Sequence, residues 1–395
     1  MELAASAAPS SSNPTHSRLA MFLISAALFA SGGAGVMNQV VWQRSLKRFV
    51  GGSETLSSMA VVLVFMAGLG IGSIWMGNRA ARLKNPCRAF AFTELGLWGV
   101  NCLIMVLLST DLSASLFSFQ KAAVASGVPL PLLYLLSSML VLMLPCLLMG
   151  ATLPLASETF QRQLKYTDSK ILGWLFFINT FGSVAGSAVG AIYLIPRLGL
   201  TLSLVIASTL NLGAFLLLSV LSSKVPKIED TPVANGIPEK PRLSMFSMRG
   251  FDLLVFGLGF CSLGYEVLLF RLFALVNMPL AYVFATVLTG FLLMWSLGAY
   301  VASVWRFAQP TTWLKVLALL IVLQIGYFIV DVAQPAGSLS NFIFGLCARW
   351  VYFAPCFVFG YLYTQITTDC AESWARTSRV FIPGARWVPA WAYWR

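Results

Sequence analysis

Ten apolar runs, at about 19–43, 57–78, 89–110, 129–156, 171–196, 199–222, 250–271, 281–305, 313–333 and 338–367, decide what this chain can become. Each approaches or exceeds the roughly 20 residues that an α-helix needs to cross the hydrocarbon of a bilayer. Lipid offers no water to backbone N–H and C=O groups, so such runs must satisfy them internally as helices. The chain is 58% hydrophobic and 10% charged, against a charged share of about 25% in soluble domains. The reading is an all-α, polytopic integral membrane protein. The first run is longer than the ~7–15 residues of a signal-peptide core, so it is expected to be a retained helix behind a disordered tail, residues 1–18. Residues 111–128 are too polar to span and are expected to lie along the interface. The last run contains Arg349 and is long for one crossing. A tilted helix, or an interfacial piece followed by a helix, both suit it.

Charge sets orientation rather than partner class. The net charge of +12 comes from basic residues in short loops between apolar runs, which is a topology signal and not a nucleic-acid footprint. With the N-terminus inside, nineteen of the 26 Lys and Arg residues fall on the inner side and six on the outer, with Arg349 inside a span. A multi-pass cell-membrane protein with both termini cytoplasmic is predicted. Seven cysteines without a C-x-x-C pair, and a single histidine, His16, supply no metal or haem set. No metal or other cofactor is expected, and the cysteines read as small buried hydrophobes.

The apolar runs repeat. G-V-M-N-Q-V-V-W-Q-R (35–44) aligns with S-L-G-Y-E-V-L-L-F-R (262–271), setting Gln39 against Glu266 and Arg44 against Arg271. In the same order, Gly72 meets Gly298 after a one-residue gap, and further on Pro145 meets Pro355 and Gly150 meets Gly360. Residues 223–248, with four prolines and mixed charge, read as a cytoplasmic linker. Six runs precede it, an even number, so two parallel repeats are predicted: 19–222 with six helices and 249–367 with about four. The halves of major-facilitator transporters are related in this way. The remaining 368–395 form a tail.

Polar residues inside spans are the candidate site. Glu266 and Glu94 are costly in lipid, and an intramembrane carboxylate marks a functional site by default. Glu266 lies five residues before Arg271, too poorly phased for a good pair, and its repeat partner Gln39 cannot ionise. Glu94, near the cytoplasmic end of its run, is expected to be able to snorkel. Tyr265 and Asn179 complete the candidate set for substrate or proton binding, while Asn101, Thr180 and Asn211 read as interhelical hydrogen bonders. Pro145 and Pro154 bracket M-G-A-T and are expected to break their helix; with Gly150, Pro355 and Gly360 they are the gating candidates. G-L-G-I-G-S (68–73) and G-S-V-A-G-S-A-V-G (182–190) place small residues three or four apart, as close helix packing requires.

The order G-V-M-N-Q-V-V-W-Q-R, G-L-G-I-G-S, L-P-C-L-L-M-G-A-T-L-P-L and F-I-N-T-F-G-S-V-A-G-S-A-V-G resembles the membrane region of the spermidine-synthase-like integral membrane proteins, the fused major-facilitator/spermidine synthase family. The resemblance covers about 20–220 strongly and 250–367 more weakly. That family usually carries Tyr-Glu where this chain has Asn38-Gln39, and Tyr265-Glu266 restores the pair in the second half. Many members continue into an aminopropyltransferase-like domain with a Gly-rich, Asp-containing loop; nothing here matches it, so no enzyme activity is expected of this chain. After Trp374 the sequence turns rich in Trp and Arg, and two readings stay open: a truncation or altered reading frame, or an interfacial tail. The resemblance implies a transporter-like protein moving polyamines or another small cationic solute. The alternative is a non-transporting module that anchors or serves a separate aminopropyltransferase-like partner.

Overall fold

The computed structural model describes residues 14–50, 54–109, 118, 121–164, 170–225, 245–275, 280–305, 309–333 and 350–366. Among them every regular element is a helix: α1 Pro14–Val50, α2 Glu54–Ala80, α3 Pro86–Ser109, α4 Leu130–Glu158, α5 Lys170–Ala188, α6 Ile195–Lys224, α7 Met245–Leu275, α8 Leu280–Val304 and α9 Pro310–Ala333. The last helix, α10, is Val351–Ile366, entered through a 3₁₀ turn at Trp350–Phe353. The chain forms two compact units, built mainly from Met1–Pro232 and from Val233–Trp387. Most of the expected linker, Arg349 and the C-terminal tail lie outside the described residues, as does most of 111–128.

Seven helical stretches are long and apolar enough to cross a membrane, where the sequence suggests ten. The difference has a local cause. The fifth and sixth expected spans fall in one stretch, Gly173–Lys224, which bends at Gly199. Gly199 has φ 76° and ψ −179°, a backbone state that in practice only glycine adopts. The ninth and tenth correspond to α9 and α10, whose apolar stretches over residues with described side chains are Pro310–Gly326 and Val351–Ile366.

Within the first unit, contacts fix the direction of each helix. Gly33 packs on Gly182 and Gly186, and Met37 on Gly190, so α1 and α5 run parallel. Side chains at Gly182 and Gly186 would collide with the Phe29 and Gly33 carbonyls; the four-residue glycine spacing lets the two backbones touch. Glu94 meets Asn211 while Cys87 meets Leu218, which makes α3 and α6 antiparallel. Gln43 on α1 donates to Ser57 on α2 at 2.8 Å.

The core of this unit has two large apolar clusters and a smaller one of Met37, Leu194 and Ala207. One large cluster gathers Ile24, Leu28, Phe90, Ala91, Leu155, Phe160, Ala214 and Leu218. The other gathers Trp42, Val61, Val64, Phe65, Ile104, Leu142 and Cys146. On α1 and α3 the interval between these two runs through Ser31, Asn38 and Gln39, and through Glu94 and Asn101, all buried.

A matching contact recurs in both units. Gly72 on α2 packs against the Leu147 carbonyl of α4, and Gly150 on α4 against the Leu69 carbonyl of α2. In the second unit Gly298 on α8 packs against the Phe357 carbonyl of α10, and Gly360 on α10 against the Trp295 carbonyl of α8. In each case the partner lies three residues before the other glycine on its own helix.

Candidate functional site

Helix α3 starts where chemistry favours it. Asn85 caps the first turn, accepting from the Arg88 N–H at 2.9 Å, and Pro86 takes the first helical position. From there Phe90, Glu94, Leu97, Asn101 and Ile104 fall at helical spacing on one buried face. Glu94 is 0% exposed, so it does not snorkel: its face, not its distance from the loop, decides where it points. Asn211 Nδ2 donates to its Oε2 at 2.9 Å, and the Ser31 hydroxyl also interacts with the carboxylate. Three helices, α1, α3 and α6, therefore converge on one carboxylate.

The rest of that layer is not satisfied by protein. Glu94 Oε1, Asn211 Oδ1, Asn38 Oδ1, Asn101 Oδ1, Gln39 Nε2 and Trp42 Nε1 are buried without a hydrogen-bond partner. Each orphan costs roughly 1–3 kcal/mol, and several together reach the scale of a whole domain's stability. Native interiors leave few such atoms; this layer requires water or a ligand. Leu28 shares a cluster with Ala214 and Leu218, and Met37 one with Ala207, so α1, like α3, is antiparallel to α6 and the two run parallel to each other. Asn38 follows Ser31 by seven residues and Asn101 follows Glu94 by seven, so the two amides lie about 10 Å further along the bundle in matching register.

Asn179 is not part of this layer. It is half-buried at the α1–α5 seam, where its carbonyl faces Gly32 and accepts from Ser183 Oγ at 3.1 Å. Gln39 is buried in the layer, with Nε2 unpartnered.

In the second unit Glu266 is 0% exposed, and neither carboxylate oxygen has a hydrogen-bond partner. Arg271 is exposed, so the two do not share a face. Tyr265 turns elsewhere: its hydroxyl meets Gln324 Oε1 of α9 and lies 2.6 Å from the Tyr352 carbonyl. Gln324 Nε2 donates to the Val351 carbonyl at 2.7 Å. These bonds tie α7 and α9 to the entry turn of α10. Gln324 and Ser31 were not singled out from sequence; for Ser31 the i, i+7 spacing to Asn38 was the available signal.

The expected helix break does not occur. Helix α4 runs through both Pro145 and Pro154 from Leu130 to Glu158. Its ladder shifts afterwards, in a π-turn at Thr159–Gln163. Pro355 stands in the first turns of α10, where the missing N–H costs nothing. Gly150 and Gly360 are packing contacts between helices. That π-turn presents Gln163, which accepts from the Cys87 N–H at 3.0 Å and donates to Asn85 at 3.0 Å. Arg162 reaches the Ala81 carbonyl and pairs with buried Glu158 at 3.4 Å. The α2–α3 turn is thereby latched to the end of α4.

Among the described residues no three His, Cys, Asp or Glu side chains come together. Neither a family model nor a curated protein sequence matches the chain.

Proposed function

We propose that the chain is a cation-coupled carrier related to the spermidine-synthase-associated membrane proteins, built as two parallel repeats of six and about four helices. The supports are the apolar helices, the reciprocal glycine contact found in both units, and the motifs that carry the family resemblance. The observation that carries the coupling is Glu266, wholly buried with both oxygens unpartnered. An ionised carboxylate in that position costs several kcal/mol unless a proton or a cationic group sits on it. A carrier that loads and unloads such a group exploits that cost. Polyamines and other small cationic solutes suit the site by charge, and the resemblance points to the same class.

Purified protein in sealed vesicles provides the test. Uptake of labelled polyamines and small cations is expected in the wild type and is expected to fall at least tenfold in Glu266→Gln, which keeps the side chain's shape. Full insertion with no flux of any solute in either protein would favour the alternative, a membrane module serving a separate aminopropyltransferase-like partner. Unchanged flux in Glu266→Gln would remove this residue from the mechanism.

A further inference from the structure

We infer that the polar layer of the first unit is an occluded binding site for one small monovalent cation, either a bare alkali ion or a primary ammonium group. This site is distinct from Glu266, lies wholly within the first unit and stands whether or not the protein transports. Three observations lead to it. First, the unsatisfied atoms at the Glu94 level are both oxygens, Glu94 Oε1 and Asn211 Oδ1, each on a side chain no more than 2% exposed. Oxygens in want of a partner take a hard cation or an N–H donor. Second, the orientation of the Asn211 amide is fixed. Its Nδ2 is spent on Glu94 Oε2 at 2.9 Å, so Oδ1 and Glu94 Oε1 are left as two acceptors on one hydrogen-bonded pair. Third, Glu94 is the one carboxylate among the described residues of that layer, so one positive charge neutralises it. Divalent ions draw more carboxylates and a fuller oxygen shell.

The surroundings make the site occluded. Along α1 and α3 the layer is bounded on one side by the cluster of Ile24, Leu28, Phe90 and Leu155, and on the other by that of Trp42, Val64, Ile104 and Leu142. A cation there is shut off from both ends. Asn38 and Asn101 lie about 10 Å from the Ser31–Glu94 level, too far to ligate an ion held there, and form a second polar station. Water bridging the two stations would satisfy the remaining amide oxygens.

The full chain purified in detergent tests this directly. Its thermal midpoint is followed as choline chloride, whose cation is bulky and lacks N–H, is replaced by sodium, potassium or methylammonium chloride at constant ionic strength. A ligand that binds only the folded protein stabilises it in proportion to the logarithm of its concentration above Kd. The expectation is a rise of several degrees with at least one small cation. Sodium or potassium alone identifies a bare-ion site, and methylammonium alone an ammonium site. Glu94→Gln retains an acceptor for Asn211 and is expected to fold but lose the response. Asn211→Asp, with a second carboxylate, is expected to move the half-maximal concentration at least tenfold lower. Glu266→Gln is expected to keep the full response, which separates this site from the one proposed above. No small-cation response in the wild type, or an undiminished one in Glu94→Gln, overturns the inference.

Discussion

At the scale of single residues, the glycines carry the sharpest expectation. Adding a methyl in a helix interior normally stabilises by about 1 kcal/mol, because glycine is the poorer helix former. At Gly72, Gly150, Gly298 and Gly360 the added carbon would run into a backbone carbonyl of the neighbouring helix. Each Gly→Ala change there is expected to destabilise by about 1–3 kcal/mol, read as a lower unfolding midpoint in detergent. Gly213 has open space around it, and Gly213→Ala should be neutral or slightly stabilising. A loss confined to one unit would contradict the equivalence of the two contacts. These four positions were legible as two aligned glycine pairs, which need no structural knowledge to find, and members of both pairs make the same kind of contact in their own units. Glu94 was less legible. Its distance from the loop suggested a snorkelling carboxylate, whereas the i, i+7 pairing with Asn101 and the intervening Leu97 place it on the buried face.

Individual elements show where sequence reasoning stops. Proline inside a helix removes one hydrogen bond, yet α4 absorbs two and shifts its ladder into a π-turn at Thr159–Gln163. Nothing in the order Pro145-to-Pro154 tells a reader whether neighbouring helices will hold the rod together. The π-turn aims Arg162 and Gln163 at the α2–α3 turn. Gln163→Ala is expected to cost about 1–2 kcal/mol, since it strands the Cys87 N–H and one bond to Asn85. Arg162→Ala leaves Glu158, 1% exposed, without its cation. Chemical denaturation should find the Arg162→Ala, Glu158→Gln double variant more stable than Arg162→Ala alone. The reverse order would mean that the ion pair does not hold the latch. Gly199 is a third case: a lone glycine before L-T-L is unremarkable in sequence, and its positive φ becomes visible only in the bend it makes.

For the whole molecule, the alternating directions of α1 to α6 bring Arg79 at the end of α2, Arg162 beyond α4 and Lys224 at the end of α6 to one end of the first bundle. That arrangement suits the surplus of Lys and Arg expected on the cytoplasmic side. The helical class and the apolar runs were plain from composition, because lipid permits so few backbone solutions. The interior layer was not, because polar residues scattered through the spans reveal their partners only when helices pair. The carrier reading proposed for this chain rests on its halves entering the membrane in the same direction. The most direct measurement is side-specific labelling of single cysteines introduced at residues 120 and 235 in intact cells, with the native cysteines replaced. Reagent confined to the outside should modify position 120 and leave position 235 untouched until the membrane is permeabilised. Modification of both from outside, or of neither, would contradict the parallel arrangement and the carrier reading built on it.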